Sequence, residues 1–133
     1  MEAQNYNVEF DNFCDRHYVK SFAKKYKSTW PGTMQAIEDV SKRIDAMLDY
    51  DRADLIASNG QFKLVKLDFS VEGTRISPKS SGNRCILVID EDIRSVRILI
   101  VYSKNDISSP NETSKWKTII KDQFTELGIL FSI

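Results

Sequence analysis

Apolar residues recur along this chain at two different periods, and the switch between them divides the sequence into three regions. Between about Asn12 and Lys27, Val19, Phe22, Ala23 and Tyr26 recur at helical spacing and leave a lysine-rich opposite face. That is the signature of an amphipathic helix. Ser28 and Thr29 then precede Trp30 and Pro31, and a hydroxyl cap with proline in the first turn predicts a new helix start. Ile37, Val40, Ile44, Met47 and Leu48 share one face of that second helix, which runs to about Tyr50. The short link between the two predicts an antiparallel pair.

Asn59-Gly60 marks a break, and the period changes after it. Phe62, Leu64, Val65, Leu67 and Phe69 suit a strand from about Gln61 to Phe69, and Gly73 turns the chain into a short strand, Thr74 to Ser77. Pro78 to Asn83 reads as a loop. Arg84 to Ile89 and Val96 to Tyr102 are rich in β-branched and aliphatic residues, with Asp90-Glu91-Asp92 between them as a hairpin turn. Ser109-Pro110-Asn111-Glu112 supplies a capping serine, an early proline and a glutamate three residues on, which predicts a last helix. Trp116, Ile119, Ile120 and Phe124 form its buried face, and Gly128 is its expected stop. The expected fold is α+β: two N-terminal helices packed on a four-stranded antiparallel sheet, with a C-terminal helix and most helical packing on one sheet face. A chain of 133 residues suits a single domain spanning 1–133, and no repeat or linker divides it.

Composition narrows the classes. No apolar run is long enough to cross a bilayer, and Met1 to Asp11 lacks the basic start and apolar stretch of a secretory signal. Cys14 and Cys85 lie far apart without metal-binding or redox spacing, so reduced thiols and a cytoplasmic location are expected. The formal net charge is zero, which argues against polyanion binding over the whole surface. The charge is unevenly distributed, however. Arg16, Lys20, Lys24, Lys25 and Lys27 form a basic segment, and Glu38, Asp39, Asp45, Asp49, Asp51 and Asp54 make the next stretch acidic. Arg75, Lys79 and Arg84 then fall close together, followed by Arg94, Arg97 and Lys104.

No P-loop, dinucleotide fingerprint, nucleophile elbow or HExxH motif is present. The one histidine, His17, lies in the first helical segment and reads as an ordinary surface or half-buried residue. Asp90, Glu91 and Asp92 read as a solvated turn, and no metal site or cofactor is expected. The stretch Arg75-Ile-Ser-Pro-Lys79-Ser-Ser-Gly82-Asn-Arg84 remains. Ser80, Ser81 and Gly82 give it backbone freedom and exposed donors, so a polyanion can approach closely. Arg75, Lys79 and Arg84 flank it with forked and point charges suited to phosphate. A solvated polar turn between two strands accounts for the same composition.

Lys79-Ser-Ser-Gly-Asn-Arg84, an aliphatic strand, and then Ile98-Leu-Ile-Val-Tyr-Ser-Lys-Asn-Asp106 resemble the core signature of RelE/HigB-like toxins of type II toxin–antitoxin systems, in the RelE/ParE superfamily. Tyr18-Val-Lys-Ser-Phe-Ala-Lys followed by further lysines is similar to the family's first helix, and the likeness runs from about Cys14 to Phe124. The resemblance implies a microbial RNase-like fold and a metal-independent endoribonuclease, an mRNA interferase that cuts messenger RNA on the ribosome and inhibits translation. It implies Lys79, Arg84, Lys104 and Arg75 as the catalytic basic set. Arg84 would stabilise the transition state and Lys79, crowded by cations, would serve as base. Ser80, Ser81, Gly82, Tyr102, Lys24 and Lys25 are the expected RNA contacts, with Tyr102 stacking on a base. The implied partners are a cognate antitoxin, the ribosome and mRNA, with no membrane. The sequence departs from the family after Lys104, where Asn105-Asp106-Ile107 stand in place of a tyrosine or histidine. Two alternatives share the fold: a ParE-like gyrase inhibitor, and a non-catalytic RNA- or partner-binding domain.

Overall fold

The computed structural model describes residues 6–50, 52–71, 77, 81–103 and 112–133. It contains a five-stranded mixed sheet in the order β1-β5-β4-β3-β2. The strands are β1 (Asn7–Phe10), β2 (Ala53–Asn59), β3 (Phe62–Phe69), β4 (Asn83–Asp90) and β5 (Ser95–Ser103). The helices are α1 (Asn12–Cys14), α2 (Lys20–Tyr26), α3 (Trp30–Ser41), α4 (Ile44–Asp49), α5 (Glu112–Gln123) and α6 (Thr125–Leu130). A π-helical turn, Asp15–Val19, joins α1 to α2, and a 3-10 turn, Lys27–Thr29, joins α2 to α3.

The expected four-stranded antiparallel sheet is corrected in two places. The first is β1, which pairs parallel with β5, Val8 opposite Val96 and Phe10 opposite Ile98. Four residues of weak alternation are too short to signal a strand without their partner. The second is β2, antiparallel to β3 with Asn59 opposite Phe62. Gly60-Gln61 is therefore the two-residue turn of a hairpin, with Gly60 at φ 59°, a conformation that favours glycine. Ala, Asp, Ser and Asn are poor strand formers, and they hid β2. The expected strand from Thr74 lies outside the described residues.

The second helix is also interrupted. The Lys42 carbonyl accepts a hydrogen bond from the Tyr6 N–H (3.1 Å), and the chain restarts as α4 after Arg43. The tyrosine is held in turn: its hydroxyl donates to Asp45 at 3.3 Å and accepts from Arg94 Nη1 at 3.1 Å, with the guanidinium 3.9 Å from the ring centroid. Thr29 precedes α3 but donates to the Tyr26 carbonyl rather than capping the new helix. At the other end Gly128 does not stop a helix. The break falls at Phe124, and Gly128 sits within α6, where an added Cβ would lie 3.3 Å from the Lys121 backbone. The glycine permits the close approach of α6 to α5.

The helices cover both faces of the sheet, not mainly one. Val19, Phe22, Trp30, Ile37 and Ile44 pack with Val65, Leu67, Phe69, Cys85, Leu87, Ile89, Val96, Ile98 and Val101 on the first face. Trp116, Ile120 and Phe131 pack with Leu64, Ile86, Val88, Leu99, Ile100 and Tyr102 on the second. β5 changes parity at a bulge: Ile86 faces Ile100 but Leu87 faces Ile98. Leu99 is the extra residue, and it lets Ile98 and Val101 share a face. The stacked rings of Phe22 and Trp30, 4.8 Å apart, close the first layer over Phe69. Leu67→Ala empties part of this fully buried layer and is expected to cost about 3 kcal/mol, read as a lowered urea midpoint with an unchanged m-value.

Candidate phosphate-binding site at the sheet end

Arg84, near the start of β4, stands opposite Asp68 of β3 and Tyr102 of β5. Directly opposed residues point to the same side of a sheet, so the three side chains form a row on the second face. The row lies beside the part covered by α5, and Glu112, the first residue of α5, closes it. Arg84 Nη1 lies 3.1 Å from Asp68 Oδ1, and Nε lies 3.9 Å from Glu112 Oε2. The Tyr102 hydroxyl donates to Glu112 Oε2 at 2.9 Å. Side-chain exposure is low, 14% for Arg84, 9% for Asp68 and 18% for Glu112.

One guanidinium thus meets two carboxylates, and a phenol donates to one of them. Burial, and then the hydrogen bond to the Glu112 carboxylate, push the Tyr102 phenol above its ordinary value of 10.0. The neutral phenol is the form the fold requires. An incoming phosphate has to compete with the carboxylates for Arg84, and the longer contact to Glu112 is the one more easily given up.

Of the candidate RNA contacts, Ser81 and Gly82 lie next to this row. The Ser81 hydroxyl donates to the Phe69 carbonyl at 2.5 Å and accepts from the Asn83 N–H at 3.0 Å, so it ties the end of β3 to the start of β4. Gly82 has φ 75°, a conformation that favours glycine. Tyr102 is 2% exposed and its ring belongs to the second core layer, so no free ring face is offered to a base. Lys24 and Lys25 are exposed on α2, which covers the opposite face through Phe22. The structure does not bring them to Arg84. Arg75, Lys79, Ser80 and Lys104 lie outside the described residues.

Asp68 and Glu112 join the site without a sequence motif to mark them: an acid inside the apolar run of β3 is the signal for Asp68, and the local pattern around Glu112 marks only a helix cap. Among the described residues, no three His, Cys, Asp or Glu side chains converge to hold a metal ion. No described helix is long and apolar enough to cross a membrane.

No protein-family model and no curated protein matches the sequence. Among solved structures, a chain of the crystal structure of the archaeal RelE-RelB complex from Pyrococcus horikoshii OT3 superposes with a TM-score of 0.52. The match covers 75% of this chain and 96% of that chain at 11% identity. The chain has a RelE-like fold. At this identity the likeness concerns the fold alone. The resemblance read from the Ser-Ser-Gly loop and the strand after it pointed to the same fold.

Three outcomes follow for the RelE-like sheet end. Arg84→Ala removes the cation 3.1 Å from the mostly buried Asp68 carboxylate and should cost about 3 kcal/mol, measured by urea unfolding. Tyr102→Phe should cost about 1.5 kcal/mol by removing the bond to Glu112. The raised Tyr102 pKa stabilises the fold fully below pH 10.0, the ordinary tyrosine value. That contribution is lost as pH rises through the folded-state value. Unfolding free energy measured against pH should therefore decline from pH 10.0 upward, less steeply in Tyr102→Phe.

Proposed function

We propose that this chain is the toxin of a type II toxin–antitoxin pair and an mRNA endoribonuclease that acts on the ribosome. The observation that carries this reading is the RelE-like fold, found in a chain that was crystallised as a RelE-RelB complex. The Ser-Ser-Gly loop and its flanking basic residues, which resemble the family signature, support it from the sequence. By the same analogy the partner is a cognate antitoxin, the substrate is ribosome-bound mRNA, and the location is the cytoplasm.

In the proposed reaction a ribose 2′-oxygen attacks the adjacent phosphorus. The P–O2′ bond forms, the P–O5′ bond breaks, and a cyclic phosphate remains. Lys79 in its neutral form takes the 2′-hydroxyl proton. Arg84 meets the extra negative charge of the phosphorane after Glu112 gives way, while Asp68 keeps the guanidinium oriented. The 5′-oxygen leaves with a proton from water. Arg75 and Lys104 hold the neighbouring phosphates, and the Ser80, Ser81 and Gly82 backbone lets the strand approach.

A second reading is favoured by one specific observation. Arg84 is neutralised by two carboxylates and Tyr102 is buried, which suits a partner- or RNA-binding domain that keeps the fold without the cleavage. Inducible expression with growth scoring and primer-extension mapping of translated mRNA separates the two. The nuclease reading expects growth arrest and discrete cleavage. Arg84→Lys keeps the charge beside Asp68 and should lower cleavage about a hundredfold. Arrest without cleavage, paired with loss of gyrase supercoiling, would instead assign a ParE-like role. RNA retention on filters with neither arrest nor cleavage would leave the binding domain.

A further inference from the structure

The acidic stretch around Asp45 to Asp54 plays no part in the sheet-end site, and the fold places it beside an open sheet edge. β2 is the last strand in the order, and among the described residues β3 is its only strand partner. Its outer backbone groups are therefore available to another strand. Beside it, between α4 and the sheet, runs a groove of about 590 Å³. Leu48, Ala53 and Leu55 form its apolar floor. α4 ends at Asp49, and Leu55 is left 51% exposed.

The rim is acidic. Asp45 is engaged by Tyr6 and Arg94. Among the described residues that line the groove the basic one, Lys63, is neutralised by Glu91 at 3.3 Å. Asp49 and Asp54 have no hydrogen-bond or ion-pair partner among the described residues. Lys66 stands opposite Asp54 in the register without an ion pair to it, so the groove presents acidic side chains outside any salt bridge next to apolar surface and strand backbone that no described strand pairs.

We propose that this edge is a docking site for an extended, basic segment of a partner protein that adds a strand to β2. Charge complementarity selects the occupant. A second copy of this chain pairing through β2 would bring its own acidic rim against Asp49 and Asp54, and the bulge at Ile56 further disfavours symmetric pairing. A segment alternating lysine or arginine with aliphatic residues meets both sides of the edge. Its aliphatic side chains lie on Leu48 and Leu55, and its cations reach Asp54 on the other face. The docking does not depend on RNA cleavage. Arg84 lies on the second face near the start of β4, so a partner bound here leaves it uncovered.

The test uses the full chain and two fluorescein-labelled peptides, Lys-Val-Lys-Val-Lys-Val-Lys and its glutamate analogue, with anisotropy and amide chemical-shift mapping. The lysine peptide is expected to bind at least about tenfold more tightly than the glutamate one, with affinity falling as salt rises. Its shifts should fall on Ala53–Asn59. The Asp49→Lys/Asp54→Lys variant and, separately, Leu55→Glu should each weaken it about tenfold, while Arg84→Lys binds it normally. Equal binding of the two peptides, indifference to these variants, or shifts confined to other elements would overturn the proposal. So would a concentration-dependent dimer of the free chain with its shifts on β2, which would give the edge to a second copy.

Discussion

A strand buried on both faces needs a cover on each, and β4 and β5 meet that condition along nearly their whole length. Cys85 to Ile89 and Ile98 to Tyr102 are all buried, with alternate side chains entering opposite layers. No single layer of helices can satisfy such strands. The N-terminal helices therefore occupy one face and α5 with α6 the other. The bulge at Leu99 belongs to the same constraint, because without it the apolar residues of β5 would change faces halfway along the strand.

The sheet-end cluster depends on that layering. Asp68, Arg84 and Tyr102 stand in register across three strands on the second face, where α5 begins. α5 docks through Trp116 and Ile120, which brings Glu112 onto the row. Each group needs the others: the guanidinium offsets two carboxylates that burial would otherwise penalise, and the phenol fills a remaining acceptor site. The cluster is a structural tie as well as a candidate phosphate site. Any ligand for Arg84 has to replace interactions that already hold the sheet to α5.

The two ends of the charge distribution are separated by the same architecture. The lysines of α2 ride on the first face, the sheet-end arginine lies on the second, and the acidic rim borders the β2 edge. A chain with no net charge thus carries distinct surfaces that suit different partners.

Local pattern determined the helical and strand-forming segments wherever the periodicity was strong. The 61–69, 84–89 and 96–102 runs fall on β3, β4 and β5 and Trp116 and Ile120 are buried, because burial writes itself into alternating or helical spacing. The hairpin turn lies at 91–94 and leaves Asp90 in β4. The loop at Lys79 to Arg84, taken with the Ile98–Asp106 stretch and the order of helices and strands, resembled a RelE-like fold. Tertiary structure decided the rest. β1 exists only because β5 offers it a parallel edge, and β2 forms from poor strand residues because β3 supplies its hydrogen bonds. The helix break at Lys42 follows from a carbonyl taken by distant Tyr6. Asp68 and Glu112 become partners of Arg84 through cross-strand register and helix docking, relations between residues far apart in the chain that no local period encodes.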